Sequence, residues 1–179
     1  MIHPRIASIS VATLVAALLA VLPAPAQAGY SFVSIDGGTI DLEDLRGRPV
    51  LVVNTASLCG FADQFNDLQA LQDRYGPEGL FVLAVPSNDF EQELASAAEV
   101  KEYCTLTFDL TLPMTDITRV TGPSAHPFYA WLRDAQGFEP AWNFNKVLLD
   151  AEGNVVGTWG STARPTGGRI IGAIERLLQ

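Results

Sequence analysis

The chain has 179 residues, 48% of them hydrophobic, and 20 Asp and Glu against 11 Lys and Arg give it a net charge of −9. This negative charge disfavours nucleic acids and anionic membrane surfaces as partners, because both would repel it. The two cysteines, Cys59 and Cys104, lie 45 residues apart, a spacing that fits neither a CxxC redox pair nor a zinc module, and we expect no metal or cofactor.

The first 28 residues have the pattern of a secretory signal peptide. Arg5 precedes an apolar run over residues 6–22, and Ala26-Gln27-Ala28 has the small-x-small pattern of a signal peptidase site. The run has 17 residues, at the lower limit of the roughly 17–25 that span a bilayer, so an uncleaved anchor is the alternative. We therefore expect an exported protein, periplasmic or secreted, whose mature part, residues 29–179, is a single domain without membrane contact.

The first half of this domain predicts a hairpin followed by a βαβ unit. Alternating apolar residues flank a Gly37-Gly38 turn over residues 30–42, which indicates the hairpin. Residues 49–54 and 80–85 are short, continuous apolar runs, typical of strands buried on both faces. Between them, apolar residues recur every three or four positions over residues 62–75, which predicts a helix. This order predicts parallel pairing of the two strands.

The second half predicts helices around another hairpin. Residues 95–103 form one predicted helix, with Ser96 near its start, and residues 124–133 contain the next. Residues 144–149 and 154–159 flank a turn and predict an antiparallel hairpin, and residues 167–178 predict a closing helix. The complete order predicts an α/β fold with a central mixed sheet and helices on both faces.

Cys59 occupies a position where α/β folds place functional groups. It follows the strand at residues 49–54 and precedes the helix that starts near residue 62, so it lies in a βα loop at the carboxyl end of a parallel strand. The partial positive charge of a helix N-terminus favours a thiolate over a thiol. The alternative is a buried cysteine that serves only packing.

Three segments resemble the signatures of the glutathione peroxidase family, with Cys in place of selenocysteine. They are VNTASLCGF at residues 53–61, VPSNDFEQE at residues 85–93 and WNF at residues 142–144. The resemblance implies a thioredoxin-like fold and a thiol peroxidase that reduces hydrogen peroxide and organic hydroperoxides. It also implies a catalytic tetrad of Cys59, Gln92, Trp142 and Asn143. In it, Cys59 becomes a sulfenic acid, and N–H groups of the other three stabilise the thiolate and the leaving oxygen.

The resemblance also assigns a role to the second cysteine. Cys104 lies where the non-selenium, thioredoxin-dependent branch of the family has its resolving cysteine. A disulfide with Cys59 would require its helix to unwind in part; the alternative is that the two cysteines never meet. Two departures from the family pattern are Ser87, where Cys is usual, and Glu91, where Gly is common. The neutral to acidic residues 62–64 make anionic glutathione a poor reductant, so we expect a thioredoxin-like protein or another thiol reductant.

These observations together predict a monomeric thiol peroxidase. One alternative is a thiol–disulfide oxidoreductase on the same fold, which the missing CxxC pair disfavours. The other is a protein without enzymatic activity, a peroxide sensor or binding module in which oxidation of Cys59 changes partner contacts.

Overall fold

The computed structural model describes residues 29–179, and the predicted signal peptide lies outside the described residues. Residues 29–179 form six strands and four helices. In chain order these are β1 (Ser31–Val33), β2 (Thr39–Asp41), β3 (Val50–Thr55), α1 (Gln64–Tyr75), β4 (Phe81–Pro86), α2 (Ala97–Phe108), α3 (Pro127–Gln136), β5 (Lys146–Leu149), β6 (Val155–Trp159) and α4 (Gly168–Leu177). Within these residues no helix is both long and apolar enough to cross a membrane.

The central sheet is mixed and has the strand order β4-β3-β5-β6. β3 pairs in parallel with β4, so that Val50 lies opposite Phe81, and it pairs antiparallel with β5, where Val50 lies opposite Leu149. All six residues of β3 are buried, as its continuous apolar run predicts. β1 and β2 form a separate antiparallel pair. Both predicted hairpins and the parallel β3–β4 pairing are confirmed.

Helices cover both faces of this sheet. Successive strand residues point to opposite faces. Leu51 and Val53 of β3 therefore belong to a core shared with α1, α2 and α4, and Val50 and Val52 to a second core shared with α3. The predicted mixed α/β sheet with helices on both faces is confirmed, because each face has its own apolar core.

The predicted helix boundaries differ from the observed ones most in α2. The prediction ended this helix at residue 103, whereas α2 continues to Phe108 and contains Cys104. Only Val100 and Cys104 are buried along it, so its apolar periodicity is too weak to mark its end. α1 begins at Gln64 rather than at residue 62, because residues 60–63 form turns.

Candidate active site

Cys59 lies in the loop between β3 and α1, as predicted. Its side chain is 6% exposed and its thiol is free. The backbone N–H of Phe61 donates to Sγ over 3.5 Å, and such a donor stabilises negative charge on sulfur. α1 begins only at Gln64, so the expected position of Cys59 at the helix N-terminus needs correction. The donor at the sulfur is a loop N–H rather than one of the first helical turn.

The loop after β4 places Gln92 beside the Cys59 loop. The backbone N–H of Leu58, the residue before Cys59, donates to the carbonyl of Gln92 over 2.9 Å. The half-buried side chain of Gln92 accepts a hydrogen bond from Nδ2 of Asn143 through its Oε1, at 3.1 Å. Because Oε1 is engaged in this way, the Nε2 group of Gln92 is the part of the amide that can donate to a peroxide.

The segment between α3 and β5 contributes Trp142 and Asn143. Asn143 is fully buried, whereas Trp142 is 41% exposed. The Trp142 ring packs against Phe90 of the Gln92 loop at 5.3 Å between centroids. Oδ1 of Asn143 is buried and has no hydrogen-bond partner among residues 29–179. An unpaired buried acceptor costs about 1–3 kcal/mol, so Oδ1 of Asn143 leaves this segment with an unsatisfied polar group.

Two contacts join the segments that carry Gln92, Trp142 and Asn143. Gln92 bonds to Asn143 directly, and Trp142 and Gln92 sit on loops that meet at Phe90. Among the described residues, however, Sγ of Cys59 accepts a hydrogen bond only from Phe61, and none of the three predicted donors bonds to it.

The sequence analysis missed Glu93, which follows Gln92. Glu93 is buried, and its Oε1 accepts hydrogen bonds from the backbone N–H groups of Ser57 at 3.0 Å and Leu94 at 2.9 Å. It thus holds the backbone two residues before Cys59. Burial raises the pKa of Glu93, although these hydrogen bonds oppose the shift. Glu93 is the last residue of the second signature, VPSNDFEQE. The resemblance implies a role for the amide of Gln92 but none for the neighbouring carboxylate.

Cys104 is fully buried in α2 and its thiol is free. Burial, with a smaller contribution from the charge of Glu93, raises the pKa of Cys104 to about 12. The thiol therefore stays protonated at neutral pH while α2 is intact. Because only a thiolate attacks efficiently, Cys104 is unreactive as a nucleophile in this conformation.

Comparisons with known proteins identify the family. Residues 28–133 match the family model described as glutathione peroxidase. The chain is 40% identical over 161 residues to the hydroperoxy fatty acid reductase gpx1 of Synechocystis sp., with 84% of this chain and 94% of that protein covered. It is 43% identical over 135 residues to glutathione peroxidase 7 of Homo sapiens, with 74% and 72% covered.

Solved structures give the same result for the fold. The crystal structure of Trgpx in its apo form superposes with a TM-score of 0.66 at 31% identity, covering 87% of this chain and 97% of that one. A thioredoxin-family thiol:disulfide interchange protein from Chlorobium tepidum has a TM-score of 0.62 at 20% identity, with 85% and 94% covered, and shows the fold alone. The predicted thioredoxin-like fold is confirmed.

Proposed function

Since the chain belongs to the glutathione peroxidase family and is a thiol peroxidase that reduces hydroperoxides, we propose that Cys59 is its nucleophile and that Gln92, Trp142 and Asn143 donate hydrogen bonds during the reaction. The observation that carries this proposal is the contact between three loops. Leu58 bonds to the backbone of Gln92, and the side chain of Gln92 bonds to Asn143. These contacts join the Cys59 loop to the two segments that carry the proposed donors, which supports their action at this cysteine.

The chemistry follows from these groups. The thiolate of Cys59 attacks one peroxide oxygen, the O–O bond breaks, and the other oxygen leaves as an alcohol or water after it takes up a proton. The sulfur is oxidised to a sulfenic acid and the peroxide is reduced. The backbone N–H of Phe61, which bonds to Sγ, supports the thiolate before attack. The three proposed donors act on the negative charge that develops on the leaving oxygen.

Substitution of the nucleophile tests this proposal. Cys59→Ser should abolish peroxide consumption, because a serine hydroxyl is not ionised at neutral pH. Cys104→Ser is the matched control, since it also replaces a buried cysteine but should still consume one equivalent of peroxide. Activity in Cys59→Ser above a few per cent of the wild type would contradict the assignment.

We also propose that Cys104 resolves the sulfenic acid. Its thiol attacks the sulfur of Cys59, the S–O bond breaks, and water leaves with the thiol proton, so that a Cys59–Cys104 disulfide forms. Cys104 is the only other thiol of the chain. It lies within α2, of which only two residues are buried, so local opening of this helix costs less than global unfolding.

Mass spectrometry tests the resolving step. Peroxide should convert the wild-type protein to an intramolecular disulfide about two mass units lighter than the dithiol, the mass of two thiol hydrogens. Cys104→Ser should stop at the sulfenic acid and proceed to the sulfinic acid with excess peroxide. Full turnover of Cys104→Ser with a thioredoxin would show that the reductant reaches Cys59 directly, and the two-cysteine mechanism would be wrong.

A thioredoxin-like protein is the reductant that the surface charges favour. Arg164 lies near the start of α1, but it pairs with Asp63 and Asp67, each at 2.7 Å. Arg119, beside the Gln92 loop, pairs with Asp89 at 3.6 Å. These cations are therefore offset by carboxylates and offer little attraction to anionic glutathione. Turnover should be faster with thioredoxin and its reductase than with glutathione and its reductase, and the reverse order would contradict the proposal.

We also propose that the protein is exported and that its mature form is a monomer. The pattern of residues 1–28 supports cleavage after Ala28, so N-terminal sequencing of exported protein should begin at or near Gly29. Met1 as the first residue would indicate an anchor instead. Sedimentation equilibrium of the mature protein should give the mass of one chain.

A further inference from the structure

A buried lysine lies beside the segment that carries Trp142 and Asn143. Lys146 is the first residue of β5 and is fully buried, which is rare for lysine unless its charge is paired. Among residues 29–179 no salt bridge involves Lys146. Its ammonium group instead donates to Oε1 of Gln64 at 2.6 Å and to the carbonyl of Ser161 at 3.3 Å. The ammonium group is therefore held by two neutral oxygens. It has no role in the peroxidase steps of Cys59 and its proposed donors.

These two partners connect the lysine to the candidate site. Nε2 of Gln64 donates to the carbonyl of Ser161 at 2.7 Å, so the side chains of Lys146 and Gln64 and the backbone carbonyl of Ser161 form a closed network. Oγ of Ser161 then donates to the backbone carbonyl of Asn143 at 2.6 Å. Gln64 is also the first residue of α1, the helix that follows the Cys59 loop. The network thus connects α1 to the backbone of Asn143.

Asn145 carries the same network to Trp142. Its Nδ2 donates both to Oγ of Ser161 at 3.1 Å and to the carbonyl of Trp142 at 2.8 Å. Nδ2 of Asn54, in β3, donates to the same Trp142 carbonyl at 3.0 Å. The backbone carbonyls of both Trp142 and Asn143 are therefore fixed by side chains rather than by sheet pairing.

This segment needs such support because its backbone is strained. Phe144 has φ +60°, in the left-handed region, a conformation that is strained for any residue other than glycine. Its backbone N–H donates to the carbonyl of Asn54 at 2.6 Å, and its ring packs edge-on against Phe65 at 5.2 Å. A strained conformation persists only where its surroundings hold it, and the hydrogen bonds to the two preceding carbonyls are part of that support.

We propose that Lys146 is a positioning residue for the peroxidase reaction: through Gln64 and Ser161 it holds the Trp142–Asn143 backbone in the orientation in which Asn143 meets Gln92. The proposal rests on the assignment of Trp142 and Asn143 as donors. It deepens that function by naming the group that maintains the donor geometry and by connecting that group to α1. Lys146 itself touches neither sulfur nor peroxide in this role.

The charge of Lys146 adds a pH dependence. Burial lowers the pKa of Lys146 to about 8, an effect that Arg164 reinforces and Asp67 of α1 opposes. Because the folded-state pKa is depressed, the ammonium form prevails below about pH 8 and is lost as the pH rises through that value. The neutral amine donates more weakly to Gln64 and Ser161, so the support for the donors should weaken above about pH 8.

Two rates measured on the full mature protein test the proposal. One is the second-order oxidation of Cys59 by hydrogen peroxide in a single turnover, and the other is alkylation of Cys59 by iodoacetamide. Peroxide cleavage needs the donors at the leaving oxygen, whereas alkylation needs only an accessible thiolate. In Lys146→Met and Ser161→Ala, peroxide oxidation should fall roughly tenfold or more, since small misplacements of a reacting group cost up to about 100-fold. Alkylation should change less than about threefold.

The controls separate the possible causes. Lys101→Met replaces the exposed lysine of α2 and should alter neither rate. Loss of both rates, or faster alkylation, in Ser161→Ala would indicate general loosening and would overturn the proposal. Should Lys146→Met not fold, Ser161→Ala and the wild-type pH profile decide. The ratio of peroxide oxidation to alkylation should fall above about pH 8, and a ratio that stays level to pH 9 would refute the role of Lys146.

Asn143→Ala in the same assay distinguishes this inference from the function on which it rests. If Asn143→Ala oxidises as fast as the wild type, the donor assignment itself is wrong. If Asn143→Ala is slow while Lys146→Met and Ser161→Ala are both normal, only the positioning role fails.

Discussion

The two ends of α2 provide a test of how Cys104 reaches Cys59. At the N-terminus, Oγ of Ser96 accepts the backbone N–H of Glu99 at 3.3 Å and bonds to its carboxylate at 3.1 Å. At the C-terminus, Asp109 has φ 51°, a left-handed conformation that glycine adopts without strain. Ser96→Ala should therefore make the helix easier to open, and Asp109→Gly should make it harder to open. Neither substitution alters a cysteine side chain, and the bond from the backbone N–H of residue 109 to the carbonyl of Cys104 does not depend on the side chain that is changed.

The expected magnitudes follow from these contacts. Loss of a serine N-cap costs about 1 kcal/mol. Glycine in the left-handed position recovers roughly 1–2 kcal/mol, of which its own chain entropy removes about half, so the net gain is about 0.5–1 kcal/mol. Ser96→Ala therefore alters the population of the opened helix about fivefold, and Asp109→Gly alters it about two- to fivefold. The opened helix matters because the pKa of Cys104 is raised from 9.0 to about 12 in the closed one, where thiolate is about a thousandfold scarcer.

The assay follows disulfide formation after one equivalent of hydrogen peroxide in a stopped-flow instrument, with acid quench and mass spectrometry. Disulfide formation should be about five times faster in Ser96→Ala and about two to five times slower in Asp109→Gly, and the double variant should lie between the two. Formation of the Cys59 sulfenic acid should be unchanged in all three, which is the internal control. If both variants shift the rate in the same direction, or neither shifts it, then Cys104 does not act from an opened α2.

Three further predictions concern other residues. The hydroxyl of Tyr129 is buried without a hydrogen-bond partner among residues 29–179, so Tyr129→Phe should raise the free energy of unfolding by about 1 kcal/mol in urea titration, and a decrease would reveal a partner. Glu91 has φ 57°, so Glu91→Gly should stabilise the protein by up to about 1 kcal/mol, and destabilisation would refute the strain argument. Burial raises the pKa of the Glu93 carboxyl, so its contribution to stability is greatest below the unfolded pKa, roughly 4, and is lost as the pH rises through the raised folded pKa. Relative to Glu93→Gln, the wild type should therefore lose stability as the pH rises above about 4, and a constant difference would contradict this.

The sequence by itself determined the order and type of the elements and the loop that holds Cys59, the proposed nucleophile. Continuous apolar runs identified β3 and β4, because a strand buried on both faces can contain little else. The order of strands and helices predicted the mixed sheet. The sequence places Cys59 in the loop after β3, and the family resemblance alone implies the roles of Gln92, Trp142 and Asn143.

Only the tertiary structure decided what holds those residues in place. Glu93 bonds to Ser57, which is 36 positions earlier, and Lys146 bonds to Gln64, which is 82 positions earlier. Periodicity reports whether a side chain is buried, but it does not report which polar partner satisfies it, since that partner comes from another element. The same limit applies to α2, whose extent and whose protection of Cys104 depend on packing against the core rather than on its weakly patterned sequence.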